Sequence, residues 1–209
     1  LEVLAGGGPR ELRLGRGSAF IDIRLPCGGA IDLMFNELPS GIAASLLDRI
    51  EAREPFRLSL PWGEGQVELL PGAERFGLAL SDSHAIVSHV PPLRMAIMGH
   101  GPTISRLARL ANALDVEIQL VTQDERLAGD LRAQGREPLV LKGVGSIPDL
   151  HLDRWTACTL FFHDHEWEPA LLGPMLKSDA FFIGAMGSRK THEERRARLG
   201  QAGFAAEDI

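Results

Sequence analysis

The chain has 209 residues, of which 44% are hydrophobic and 24% are charged, as is ordinary for a globular protein with one large domain or two small ones. The formal net charge of −6, without a broad basic face, argues against non-specific binding to nucleic acid. No apolar run reaches the roughly 20 residues of a transmembrane helix, and no charged-then-apolar leader begins the chain, so we expect neither membrane insertion nor secretion.

Residues 1–90 are predicted to form a small α+β domain that is incomplete at its N-terminus, because the chain begins as though inside a helix. A helix is expected over residues 40–54, where apolar residues recur at helical spacing before Pro55. The second and third strands of this domain alternate apolar and polar residues, as half-buried strands do. Strands are expected at residues 11–14, 19–25, 30–35, 56–60, 66–70, 76–80 and 85–89.

A tight turn, Pro26-Cys27-Gly28-Gly29, separates the second strand from the third. The flanking glycines leave the thiol of Cys27 open to a ligand, and an exposed thiolate can bind metal or carry sulfur. Cys27, Gly28 and Gly29 are therefore candidate ligand-binding residues. Cys158 lies within an apolar strand and is interpreted as a small buried hydrophobe. The two cysteines lie far apart in unlike contexts, so no disulfide is expected and the protein is predicted to be cytoplasmic.

Pro91-Pro92 marks the expected boundary, since two prolines cannot continue a strand ladder. Residues 95–209 then alternate strands and helices, which predicts a Rossmann-like, doubly wound parallel sheet that is incomplete at its C-terminus. The predicted strands are 95–98, 116–122, 138–142, 156–162 and 180–183, and the predicted helices are 103–114, 125–134, 169–176 and 191–202. In such a sheet, ligands bind at the carboxyl ends of the strands. The basic residues beyond the first turn of the last helix, Arg195, Arg196 and Arg198, are interpreted as a solvated face.

Gly99-His100-Gly101 follows the first strand of this sheet and precedes a helix, as a dinucleotide-binding turn does. Ile104 occupies the place of the third glycine, and Asp124 closes the next strand where an acid would meet a ribose hydroxyl. Two interpretations stay open. Either the turn binds a nucleotide or a nucleotide-like pterin, or it is a tight strand-to-helix turn with Asp124 as the N-cap of the following helix.

His163-Asp164-His165 follows another predicted strand and offers three side chains that can bind metal. No third histidine stands at helical spacing nearby, so we favour histidines that line a ligand cleft, with Asp164 capping the turn.

Gly187-Ser188-Arg189-Lys190 joins an apolar strand to the start of a helix. Backbone N–H groups and the helix dipole favour an anion at such a junction, and two fixed cations add to this. These four residues are the predicted anchor for a phosphate.

The chain resembles the xanthine dehydrogenase accessory protein (XdhC/CoxI) family over essentially all 209 residues. The resemblance rests on the Leu-Pro-Cys-Gly-Gly-Ala-Ile turn at Cys27, the Gly-x-Gly turn at Gly99, and Asp-x-Arg at Asp124. The most specific feature is His163-Asp164-His165 followed by the Phe-Ile-Gly-x-x-Gly-Ser-Arg-Lys segment that ends at Lys190. The chain departs from the family at Pro102, where a histidine is usual, and at Ile104.

The resemblance implies a maturation chaperone that is not an enzyme. Such a protein would bind the molybdenum cofactor in its molybdopterin form, with Cys27 as a molybdenum contact, and protect it during sulfuration by a cysteine desulfurase. It would then deliver the cofactor to a molybdenum hydroxylase apoenzyme of the xanthine dehydrogenase type, and it would be a homodimer. Two alternatives stay open: an NAD(P)-dependent oxidoreductase with His163 or His165 as proton donor, and an interaction scaffold that binds neither ligand.

Overall fold

The computed structural model describes residues 10–19, 25–164 and 166–205. The chain divides into two compact units, residues 1–91 and 92–209. Within the described residues, no helix has both the length and the apolar character needed to cross a bilayer.

The described part of the first unit contains antiparallel strands and one helix, α1 (Ser40–Glu51). Two strands form a separate ribbon, and four others form a sheet in the order β4-β3-β6-β5. The strands are β1 (Arg10–Gly15), β2 (Ala30–Phe35), β3 (Phe56–Pro61), β4 (Glu68–Pro71), β5 (Gly77–Leu80) and β6 (His84–His89). The predicted strand at residues 19–25 falls almost wholly outside the described residues.

The prediction that β2 is half-buried is wrong. Ile31, Leu33 and Phe35 are 46%, 37% and 47% exposed. The strand pairs with β1 alone, and no other described element contacts it extensively. Among the described elements nothing packs extensively on this two-stranded ribbon, so neither of its faces is buried by them, whatever the sequence pattern.

The second unit is a five-stranded parallel sheet in the order β11-β10-β7-β8-β9, which confirms the predicted Rossmann-like fold. Its strands are β7 (Arg94–Gly99), β8 (Glu117–Thr122), β9 (Leu139–Val140), β10 (Thr156–Phe161) and β11 (Phe182–Ala185). Its helices are α2 (Pro102–Ala113), α3 (Glu125–Arg132), α4 (Glu168–Leu176) and α5 (Arg189–Gln201).

Helices cover both faces of this sheet because side chains alternate along each strand. On one face, Ile97 of β7 packs in a cluster with Ile104 of α2 and Leu127 of α3. On the opposite face, its neighbour Met98 shares a cluster with residues of α4 and α5, among them Leu199. The sheet is therefore buried from both sides, and its carboxyl edge is where ligands reach the fold.

Candidate functional site

The strands of the second unit end side by side. In the parallel register, Leu160 lies opposite Met98 and Ala185, and Met98 lies opposite Val121. The turns that follow β7, β8, β10 and β11 therefore lie at one edge of the sheet. All the candidate residues of this unit that the structure describes occupy these turns: Gly99, His100, Gly101, Asp124, His163, Asp164, Gly187, Ser188, Arg189 and Lys190.

Two observations explain why a glycine stands at the end of β7, at Gly99. Its φ is +132°, and a Cβ there would lie 2.5 Å from the carbonyl oxygen of Phe161 in the neighbouring strand. Gly101 also has a positive φ, +84°, and precedes α2, whose first residue is Pro102. The Gly-x-Gly spacing thus allows the strands to approach closely and the chain to turn sharply into α2.

Two residues at the start of α2, Pro102 and Ile104, differ from a complete dinucleotide fingerprint, and each changes the local structure. Pro102 has no N–H, so one backbone donor is missing from the N-terminus of α2. Ile104, at the place of the third glycine, is 0% exposed and belongs to the apolar cluster beneath the helix. Its side chain fills the space that a glycine there would leave for a closer helix–strand contact.

A row of polar side chains crosses the edge over three adjacent strands. Nε2 of Gln123, after β8, lies 2.9 Å from Nδ1 of His100, after β7. The His100 ring meets the ring of His163, after β10, edge to face with centroids 5.1 Å apart. His163 and Asp164 are exposed, whereas His100 is half-buried. The predicted cleft residue His165 lies outside the described residues.

The two aspartates at this edge act as caps. Oδ1 of Asp124 accepts from the N–H groups of Arg126 and Leu127, 2.9 and 3.0 Å away, and so caps α3. Oδ1 of Asp164 accepts from the N–H of Glu166 at 3.1 Å. The capping interpretation of both residues is confirmed. Oδ2 of Asp124 has no donor within the described residues. A role of Asp124 toward a ribose stays a prediction.

The turn after β11 leads directly into α5, as predicted, and its role as an anion site stays a prediction. Ser188 is the N-cap of α5, and its hydroxyl accepts from the N–H of Thr191 at 3.2 Å. The N–H groups of Arg189 and Lys190 are the first two of the helix and have no intrahelical acceptor. Both side chains are exposed, and Lys190 makes only a 4.0 Å contact with Glu194. Two backbone donors and two exposed cationic side chains therefore lie where a phosphate could bind.

The interpretation of α5 as a solvated basic face is wrong for Arg195, which is buried, and is confirmed for Arg196 and Arg198, which are exposed. The side chain of Arg195 is 7% exposed and donates to both carboxylate oxygens of Glu168 in α4, at 2.9 and 3.0 Å. The same guanidinium donates to the carbonyl of Met186 at 3.0 Å. The backbone of Gly187 packs closely against α5. A Cβ at this position would lie 3.0 Å from the side chain of Thr191 and 3.4 Å from the guanidinium of Arg195. The ion pair thus supports the turn from beneath, and the sequence pattern did not reveal it.

Cys27 belongs to the first unit. The thiol is exposed in a turn that is closed by a hydrogen bond from the N–H of Gly28 to the carbonyl of Leu25, at 2.9 Å. Gly28 has a φ of +70°, and a Cβ on Gly29 would lie 3.5 Å from Sγ of Cys27. By contrast, Cys158 is buried, and burial raises the pKa of its thiol to about 11. Among the described residues, no group of three or more His, Cys, Asp or Glu side chains is placed to hold a metal ion.

Comparison with known proteins supports the same fold. The model of the XdhC Rossmann domain family matches residues 95–209. The molybdenum cofactor insertion chaperone PaoD of Escherichia coli (strain K12) is 29% identical over all 209 residues, and the chain spans 59% of that relative's length. A xanthine dehydrogenase structure from Bacillus halodurans shares the fold, with a TM-score of 0.57 and 15% identity over 97% of this chain and 67% of that one.

Proposed function

The chain belongs to the XdhC family, and from that membership we propose that it is a maturation chaperone of the molybdenum cofactor. In this proposal the protein binds the molybdopterin form of the cofactor in the cytoplasm and protects it during sulfuration. It then delivers the cofactor to the apoenzyme of a molybdenum hydroxylase of the xanthine dehydrogenase type. The protein itself carries out no turnover.

The observation that carries the proposal is the similarity to PaoD, a molybdenum cofactor insertion chaperone, along the whole of this chain. The alignment includes both units, so the turn at Cys27 and the carboxyl edge of the parallel sheet are both within the shared region. A carrier needs to hold and shield its cargo, which burial and phosphate anchoring can do without acid–base chemistry.

The anchor for the cofactor's phosphate is the turn from Gly187 to Lys190. A phosphate there would accept from the N–H groups of Arg189 and Lys190 and pair with their side chains. The His100–His163 row lies next to this turn along the edge, and imidazole nitrogens can donate to or accept from a pterin. Cys27 is the proposed contact to molybdenum, and the desulfurase is the proposed source of the sulfur atom.

The test is equilibrium binding of purified molybdenum cofactor to the wild-type chain and to Arg189→Ala. The loss of one charge-assisted contact should weaken binding by about tenfold, while thermal stability stays within a degree or two because Arg189 is exposed. Arg132→Ala is the matched control, since Arg132 is an exposed arginine in the last turn of α3. Equal affinities of Arg189→Ala and the control would remove the anchor. Failure of the wild-type chain to bind the cofactor would remove the chaperone proposal.

An NAD(P)-dependent oxidoreductase is the second candidate, because Gly99, Gly101 and Asp124 hold Rossmann positions at the carboxyl edge. NAD(P)H oxidation with a range of aldehydes and ketones separates the two. Sustained turnover that is lost in His163→Ala would favour the oxidoreductase. Cofactor transfer to an apo-hydroxylase without any turnover would favour the chaperone.

A further inference from the structure

The strand β5 of the first unit carries a row of exposed apolar side chains. Leu78 and Leu80 within the strand are both 64% exposed, and Phe76, directly before it, is 73% exposed. Side chains two residues apart point to the same face of a strand, so the three form one row. A contiguous apolar patch of this kind is typical of a surface that another molecule covers.

This row extends an apolar face of the four-stranded sheet to the edge of the sheet. In the antiparallel register, Leu78 lies opposite Val87 of β6, and Leu80 lies opposite Ala85. Ala85 is buried and Val87 is half-buried, so the apolar face becomes more exposed toward β5. Among the described elements, β6 alone contacts β5 extensively. The apolar face therefore ends at an edge that the described residues leave open.

The backbone of β5 offers hydrogen-bonding groups along the same edge. The N–H of Ser81 donates to the carbonyl of His84 at 2.9 Å, so these residues form a hydrogen-bonded pair where β5 turns into β6. Hydrogen-bonded and non-hydrogen-bonded pairs alternate along an antiparallel ladder. Ala79 therefore bonds to β6 as Ser81 does, whereas the N–H and C=O groups of Leu78 and Leu80 point away from β6.

The strand Gly77–Leu80 lacks the features that keep an edge strand from pairing. It contains no charged residue and no proline, and its register with β6 runs without a bulge. Natural proteins protect the edges of their sheets with lysine, proline or a bulge. This edge is therefore able to accept a further strand.

A second copy of this chain fits the edge because antiparallel pairing about a two-fold axis is self-complementary. When Leu78 lies on the axis opposite its own copy, Phe76 of one copy lies opposite Leu80 of the other. The outward N–H and C=O groups of Leu78 then pair with those of its copy. The three exposed side chains offer roughly 350 Å² of surface, and with the edge backbone each copy would bury about 500 Å². The total of about 1,000 Å² reaches the size of a specific interface.

We propose that two copies of the chain associate through the β5 edge, so that their four-stranded sheets join into one continuous antiparallel sheet. The family resemblance implies a homodimer but does not indicate which surface forms it. The proposal names that surface and its register, with Leu78 on the two-fold axis. It does not depend on the proposed chaperone function.

The first experiment is sedimentation velocity of the full chain over a wide range of concentrations. The wild-type chain should dimerise, and Leu78→Lys should raise the dissociation constant of the dimer by at least about 100-fold, because two like charges would face each other on the axis. Ile147→Lys is the matched control, since Ile147 is an equally exposed apolar residue of the second unit. Its dissociation constant should stay within about twofold of the wild-type value.

A mixture of two variants tests the register and shows that the substitutions leave β5 able to pair. Leu78→Lys and Leu78→Asp should each be monomeric alone, because each places like charges on the axis. Their equimolar mixture should form a heterodimer, since a lysine then faces an aspartate. Far-UV circular dichroism of both variants should match that of the wild-type chain, because Leu78 is exposed and lysine is a common residue of edge strands.

Three outcomes would overturn the proposal. The wild-type chain could be monomeric at every concentration, which would leave the β5 edge to a partner of another kind. Leu78→Lys could dimerise as tightly as Ile147→Lys, which would place the dimer interface elsewhere. The mixture of Leu78→Lys and Leu78→Asp could stay monomeric, which would exclude the two-fold pairing at Leu78. Each of these outcomes leaves the chaperone proposal to be judged by cofactor binding.

Discussion

Replacing Arg195 by methionine tests whether the buried ion pair holds the second unit together. The substitution removes two donors to Glu168 and the donor to the Met186 carbonyl, at distances of 2.9 to 3.0 Å. The side chains of Arg195 and Glu168 are 7% and 5% exposed, so water cannot replace the lost bonds. Removing one partner of a buried pair costs about 3–5 kcal/mol, because a buried charge loses its compensation.

The measurement is urea unfolding followed by tryptophan fluorescence. Trp62 lies in the first unit, whereas Trp155 and Trp167 lie in the second. A Trp62→Phe background therefore confines the signal to the second unit and avoids mixing two separate transitions. With an m-value of about 1.5 kcal/mol/M, the loss predicts a fall in the urea midpoint of roughly 2–3 M.

Two further variants make the result interpretable. Lys190→Met removes a charge from the same helix, but its side chain is 86% exposed, and the cost should stay below about 0.5 kcal/mol. Glu168→Leu combined with Arg195→Met should recover part of the loss, since an apolar pair leaves no buried charge. The reasoning is refuted if Arg195→Met costs no more than Lys190→Met.

Three other predictions can be tested separately, the last of which rests on the family resemblance. At pH 8, iodoacetamide should label Cys27 in the native protein and Cys158 only after unfolding. The reason is that Cys158 is 0% exposed and that burial raises the pKa of its thiol to about 11. Labelling of Cys158 in the native protein would contradict this prediction. Arg13 donates two hydrogen bonds to the carboxylate of Asp32, at 2.6 and 2.7 Å, and holds the pKa of that carboxyl below its ordinary value. The pair therefore stabilises the ribbon at neutral pH, and this stabilisation is lost as the pH falls through the lowered pKa. An NMR titration of Asp32 should show this, with a midpoint that rises in Arg13→Gln. The protein should sediment as a homodimer, and a monomer at every concentration would exclude this.

Local pattern was sufficient for the order of elements in the second unit but not for the ends of β11. The strand was expected at residues 180–183 and lies at Phe182–Ala185. Gly184 lies just beyond the expected end of the strand but is part of it, and a Cβ there would lie 2.8 Å from the ring of Phe182. The missing side chain at Gly184 leaves room for the ring of Phe182. The sequence alone does not distinguish a glycine in this role from a glycine in a turn.

The supporting contacts of the site could not be predicted because they join distant parts of the chain. Glu168 and Arg195 are 27 residues apart, and Arg195 stands in a run of charges whose local pattern is that of a solvent-facing helix. Its burial depends on where α4 packs against α5. The contact between Gln123 and His100 likewise depends on β7 and β8 being neighbours in the sheet, which strand alternation alone does not specify.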